Sequence, residues 1–142
     1  MISEFIGDLD FRDLNRTAPT DEIRLMLLAP LVYNSALLDR QITVPAKYVT
    51  DLASVPRLLW NIVPPIGKYD CAAVIHDWLY QKGTVTRDQA DAVLLEGMRV
   101  YGIKKSLRAV IYAGVRVGGW VPWNKYRKAA VVEVAGKRAE GI

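Results

Sequence analysis

Apolar residues crowd the stretch from Ile23 to Val32, which predicts a strand; Pro30 lacks a ladder donor and confines that strand to an edge or a bulge. Asn34-Ser35 reads as a turn. Arg40 to Val49 alternates loosely, with Ile42, Val44 and Tyr48 available for one face, and predicts a second strand that Pro45 interrupts. The first twenty residues are mixed and polar and end in the turn-rich run Asn15-Arg16-Thr17-Ala18-Pro19-Thr20. These patterns predict a small antiparallel sheet over about residues 22–50.

From Thr50 the period changes. Thr50 to Arg57 reads as a turn or a short helical lead-in, with Pro56 suited to a first helical turn, and Pro64-Pro65-Ile66-Gly67 bends the chain. A helix follows from about Asp70, its candidate cap, to about Gln81, and Gly83 ends it. Thr86-Arg87-Asp88-Gln89 fits a capping box, a hydroxyl followed three residues later by an amide. The helix it opens carries Leu94, Leu95 and Met98 on one face and ends at Gly102. A third runs from Ser106 to about Gly118, with Leu107, Val110, Ile111 and Gly114 facing inward and Gly114 and Gly118 spaced for close helix contact. The segment after Trp123 is helical or loose. The sequence thus predicts one α+β domain over residues 1–125, a sheet followed by three helices, and a basic tail over 126–142.

Composition changes this picture little. A chain of 142 residues, 51% hydrophobic and 24% charged, is large enough for a real core. The single cysteine, Cys71, excludes an intramolecular disulfide and any multi-cysteine metal site. Met1 to Asp8 lacks a basic region followed by an apolar run, so the chain is expected to be made and folded in the cytoplasm of its host, with packaging into a virus particle left open. The longest apolar stretch, Leu107 to Trp123, is interrupted by Arg108 and Arg116 and predicts no transmembrane segment. Net charge is +4, and Arg116, Lys125, Arg127, Lys128, Lys137 and Arg138 supply much of the excess. Such a tail suits a solvated surface, nucleic acid or an anionic lipid, and no motif for specific nucleic-acid recognition accompanies it.

The chemistry concentrates in Asp70-Cys71-Ala72-Ala73-Val74-Ile75-His76-Asp77-Trp78-Leu79-Tyr80, which holds the only histidine of the chain. On a helix His76 and Tyr80 share a face, and Asp77 points roughly 100° away. Asp91 lies on the apolar face of the next helix, three, four and seven residues before Leu94, Leu95 and Met98. A carboxylate there needs a partner, and His76 is the candidate. An imidazole oriented by Asp91 acts as a general base, Tyr80 orients Asp91, and Asp77 supplies an oxygen ligand for calcium. Asp51 and Asp70 are further carboxylates for the same site. The alternative is a satisfied core histidine flanked by Ile75 and Trp78. One histidine is too few for a multi-histidine phosphohydrolase or the usual zinc site, and neither Ser54 nor Cys71 forms a nucleophile elbow.

Three ordered motifs, Thr50-Asp51-Leu52-Ala53-Ser54-Val55-Pro56-Arg57, Pro64-Pro65-Ile66-Gly67-Lys68-Tyr69 and His76-Asp77-Trp78-Leu79-Tyr80, resemble the domain of unknown function 1353 family over roughly residues 20–105. That resemblance implies a bacteriophage or prophage setting and brings no established activity. His76-Asp77-Trp78-Leu79-Tyr80 followed by Ala90-Asp91 is also similar to the helix pair of secretory phospholipases, especially the disulfide-free form of parvovirus capsids. This second resemblance implies His76 as general base, Asp77 as calcium ligand, Asp91 and Tyr80 as supports, and Asp70 near the helix start. The chain departs from it at Val63-Pro64-Pro65-Ile66-Gly67, with one glycine and two prolines where the phospholipase calcium loop is glycine-rich. Two functions are therefore expected in competition. One is a phage-encoded, virion-associated enzyme performing metal-assisted hydrolysis of an ester of the host envelope. The other is a non-enzymatic tail, neck or tail-tip component, partnered by virion proteins, in which the same residues form a buried polar network.

Overall fold

Pro30 and Pro45 divide the sheet region. The computed structural model describes residues 1–13, 25–50 and 68–140. The apolar run around Ile23–Val32 yields two strands, β3 (Leu25–Leu27) and β4 (Leu31–Ser35), separated where Pro30 offers no N–H. The run from Arg40 likewise yields β5 (Arg40–Val44) and β6 (Val49–Thr50), split at Pro45. Two short strands precede them, β1 (Glu4–Ile6) and β2 (Phe11–Asp13). The described strands form two antiparallel three-stranded sheets, ordered β1-β4-β5 and β2-β3-β6. The turn after β4 falls at residues 36–39, just beyond the expected Asn34-Ser35, which belong to the strand. Ile23, the Asn15–Thr20 loop and the stretch from Asp51 to Gly67 lie outside the described residues.

The β4 alternation buries Leu31, Tyr33 and Ser35, and cross-strand register sets Tyr33 between Phe5 and Ile42. This face receives the helices α1 (Lys68–Lys82) and α2 (Arg87–Val100). Helix α1 is buried from Cys71 through Asp77 and again at Leu79 and Tyr80, so it forms the centre of the molecule. Each fully buried aliphatic side chain there, such as Val74 or Ile75, stabilises the fold by about 1.5–3 kcal/mol. Close α1–α2 contact follows from small residues: a Cβ on Gly97 would sit 3.1 Å from the Ala72 Cβ. Glu96 ties α2 to the sheet, accepting hydrogen bonds from the Tyr33 hydroxyl (2.6 Å), the Ser35 hydroxyl (2.8 Å) and the Leu37 amide (2.9 Å). The expected capping box is present, with reciprocal bonds between Thr86 and Gln89.

Helix α3 (Lys105–Gly118) buries Ile111 and Val115 and half-buries Leu107. Val110, expected inward, is 49% exposed, because positions 107, 111 and 115 already fill the core-facing stripe and Val110 stands about 100° from Ile111. A further helix, α4 (Trp120–Glu140), carries the basic segment. Pro122 in its first turn lacks the N–H that would continue the α3 ladder, so the two helices divide at Gly119. Gly119 makes a close approach, since a Cβ there would press on the Tyr80 hydroxyl. Among the described residues no helix is long and apolar enough to cross a membrane.

Candidate functional site

The i, i+4 spacing on α1 stacks His76 and Tyr80 on the face turned to α2, with ring centroids 4.3 Å apart. Asp91, in the second turn of α2, meets both. Its Oδ1 lies 2.7 Å from His76 Nε2 and accepts the Tyr80 hydroxyl at 2.6 Å. Its Oδ2 accepts Arg116 Nη1 of α3 at 2.7 Å, and Arg87 Nε stands 3.9 Å away. His76, Tyr80 and Asp91 are all fully buried. The same Arg116 reaches out to exposed Asp88 at 2.7 Å, so one guanidinium bridges the interior and the surface. Arg87 in turn donates to the carbonyls of Val115 and Arg116, closing the C-terminal end of α3.

Burial pushes the Asp91 carboxyl up, but the hydrogen bonds from His76, Tyr80 and Arg116 outweigh it and hold the group below its ordinary value of 3.8. An ionised carboxylate accepts only, so His76 Nε2 must carry the proton it shares with Asp91. Burial, followed by the bond to Asp91, pushes the Tyr80 phenol well above its ordinary range and keeps it a neutral donor.

Asp77 turns to another side of α1 and is also buried. Its Oδ2 accepts the Thr50 hydroxyl at 2.6 Å and the Tyr48 hydroxyl at 2.9 Å; its Oδ1 accepts the Tyr126 hydroxyl at 3.3 Å. A calcium site needs six to eight oxygens presenting lone pairs to the ion. Here three hydroxyls present protons to the carboxylate, and no group of three His, Cys, Asp or Glu side chains able to hold a metal occurs among the described residues. Among the described residues Asp77 is held by these three hydroxyls, while residues 63–67, where the phospholipase resemblance places the calcium loop, lie outside them. Asp70 lies in the first turn of α1, six residues and about 9 Å of helix rise before His76, on a different face. Asp51 lies outside the described residues.

The structure therefore brings His76, Tyr80 and Asp91 together and adds Arg116 and Arg87, which the spacing argument did not reach. The sequence did contain a signal for Arg116, a cation inside the longest apolar stretch. Tyr126 and Arg127 of α4 complete the surroundings. Arg127 donates to the carbonyls of Tyr80 and Gln81 at 2.6 and 2.8 Å, capping the end of α1.

Fold and site define an α+β protein whose two central helices are joined through a buried histidine–aspartate–tyrosine cluster neutralised by an arginine. The chain belongs to the protein family of unknown function DUF1353, whose model matches residues 25–115. No curated protein and no solved structure matches it. The matched span contains His76, Asp77, Tyr80 and Asp91 and ends one residue before Arg116.

Proposed function

We propose that this chain is a bacteriophage-encoded, virion-associated hydrolase that cleaves an ester of the host envelope with His76 as general base. One observation carries the reading: the 2.7 Å contact of His76 Nε2 with an Asp91 oxygen that also accepts the Tyr80 hydroxyl. In this reading Asp91 orients the imidazole through Nε2, and the ring takes a proton from water as that water attacks the ester carbonyl. The imidazolium that forms is stabilised by the carboxylate and returns the proton to the departing alkoxide as the acyl–oxygen bond breaks. Arg116 and Tyr80 keep Asp91 ionised and fixed. No step is routed through calcium; Asp77, which accepts the hydroxyls of Thr50, Tyr48 and Tyr126, anchors α1 beside the site. The phage setting rests on the three ordered motifs around residues 50–80.

A second reading is favoured by a different observation, the complete burial of His76, Tyr80 and Asp91. In a tail, neck or tail-tip component the cluster would serve as a polar network that fixes how α1, α2 and α3 pack.

The test is ester turnover, on phosphatidylglycerol vesicles and on soluble acyl esters, by the wild type and His76→Asn, with calcium and with chelator. The hydrolase reading expects turnover that falls by about 10²–10⁴-fold in the variant and is indifferent to chelator. Folded wild type with no turnover on either substrate, together with its recovery among purified virion proteins, establishes the structural reading instead.

A further inference from the structure

We propose that the outer face of α3 and the start of α4 is a docking surface for an anionic lipid bilayer. Helix α3 carries one wide apolar sector. One side of it, Leu107, Ile111 and Val115, meets the core; the other is left in solvent. The apolar sector of α3, opposite Lys105, Arg108 and Arg116, is wider than its contact with the core, and the uncovered edge suits a second apolar phase. The solvent side carries Ala109, Val110, Ala113 and Val117, and across Gly119 it continues into Trp120 and Val121. Val117 is 77% exposed, Trp120 55% and Val121 54%. Their spacing of three and four residues places them along one line about 18 Å long.

Charge identifies the occupant. Residues 103–142 hold nine of the 19 lysines and arginines and two of the 15 acidic residues, a net +7, whereas residues 1–102 carry a net −3. Lys104, Lys105, Lys125 and Lys128 all face solvent around the apolar line. Basic side chains bordering exposed valines and a tryptophan match the interfacial zone of a bilayer, where acyl chains take the apolar line and anionic headgroups take the cations. A nucleic acid would use the lysines and leave the valines in water. A second copy would bring the same +7 region against itself, which like charge opposes. The surface rests on the envelope setting proposed above but not on turnover, so binding alone reads it.

The experiment is co-sedimentation of the full chain with vesicles of phosphatidylglycerol and phosphatidylethanolamine, against vesicles of phosphatidylcholine alone, at low and at physiological salt. Wild type is expected to pellet with the anionic vesicles only, with a blue shift in tryptophan emission that Trp120→Phe removes. Each bordering lysine contributes about fivefold to affinity, so reversing Lys125 and Lys128 together weakens binding by at least roughly 25-fold. Val117→Glu, at an exposed site that leaves the core untouched, also weakens it, with thermal melting unchanged. The proposal is overturned by wild type that stays in the supernatant at low salt. It is equally overturned by binding that Val117→Glu leaves intact, which assigns the contact to charge alone, or by a solution dimer that Val117→Glu dissociates, which assigns the face to a second copy.

Discussion

Replacing Asp91 by asparagine removes one charge and almost no volume, so it isolates what ionisation contributes to the cluster. The amide oxygen can still accept from His76 and Tyr80, but as a neutral acceptor, and such bonds are about half as strong as charge-assisted ones. The amide NH₂ then faces Arg116 Nη1 across the 2.7 Å that the carboxylate bridged. Arg116, 32% exposed, turns toward Asp88, so its charge is not stranded. With charge-assisted bonds worth about 1.5–3 kcal/mol and their neutral replacements about 1, the net cost is about 2–4 kcal/mol at pH 7. The pH dependence follows from linkage. A carboxyl whose folded value is depressed contributes stability above its unfolded value and loses it as pH falls through the folded one. The wild type should therefore lose stability below about pH 3.8, the ordinary Asp91 value, and the gap to Asp91→Asn should narrow there. Glu96, also held below its ordinary value against the upward push of burial, mainly by bonds from Tyr33 and Ser35, is common to both proteins and cancels from the gap. Urea unfolding followed by far-ultraviolet circular dichroism, at pH 7 and at steps below pH 4, measures it. A gap below about 0.5 kcal/mol at pH 7, or one that does not change in acid, would falsify an ionised Asp91 at the centre of the packing.

Two glycine substitutions probe the framework around the site. Gly83 has φ +62°, and a Cβ there would collide with the Arg127 guanidinium. Gly83→Ala should cost about 1 kcal/mol for backbone strain plus about 1–2 kcal/mol for displacing the Arg127 cap, and only the first part in an Arg127→Ala background; additive urea midpoints refute the coupling. Gly119→Ala should cost about 1–3 kcal/mol through contact with the Tyr80 hydroxyl and the Val115 carbonyl. Thermal melts should show a smaller loss when Tyr80→Phe is also present, and an equal loss in both backgrounds rules that contact out.

How much of this was legible depends on the range of each signal. His76, Tyr80 and Asp91 could be joined on paper because helical spacing is local and a carboxylate on an apolar stripe asks for a partner. The capping box at Thr86 and the breaks at Pro30 and Pro45 are local as well. Strands β1 and β2, three residues each, are too short to show a period, and the polar start of the chain hid them. Arg116 reaches Asp91 across 25 positions; its place inside an apolar stretch marks it as unusual, but no local spacing names its partner. The hydroxyls on Asp77 come from positions 27 and 29 residues before it and 49 after it, so a short-range reading of Asp77 as a metal ligand had no access to them. Apolar character alone predicts Val110 inward, since it does not say which part of a wide apolar sector meets the core.

The distribution of those partners also sets an order of events during synthesis. When α1 and α2 have left the ribosome, Asp77 and Asp91 already have the hydroxyls of Tyr48, Thr50 and Tyr80 within the emerged chain, but Arg116, Tyr126 and Arg127 are still to come. A carboxylate buried before its arginine arrives would be an uncompensated charge in a low-dielectric interior. Closure of the sheet and first two helices around Asp91 therefore gains its charge-assisted bond only when Arg116 arrives. The C-terminal third, most of which lies past the family's matched span, thus supplies the last bonds to the centre, from Arg116, Tyr126 and Arg127.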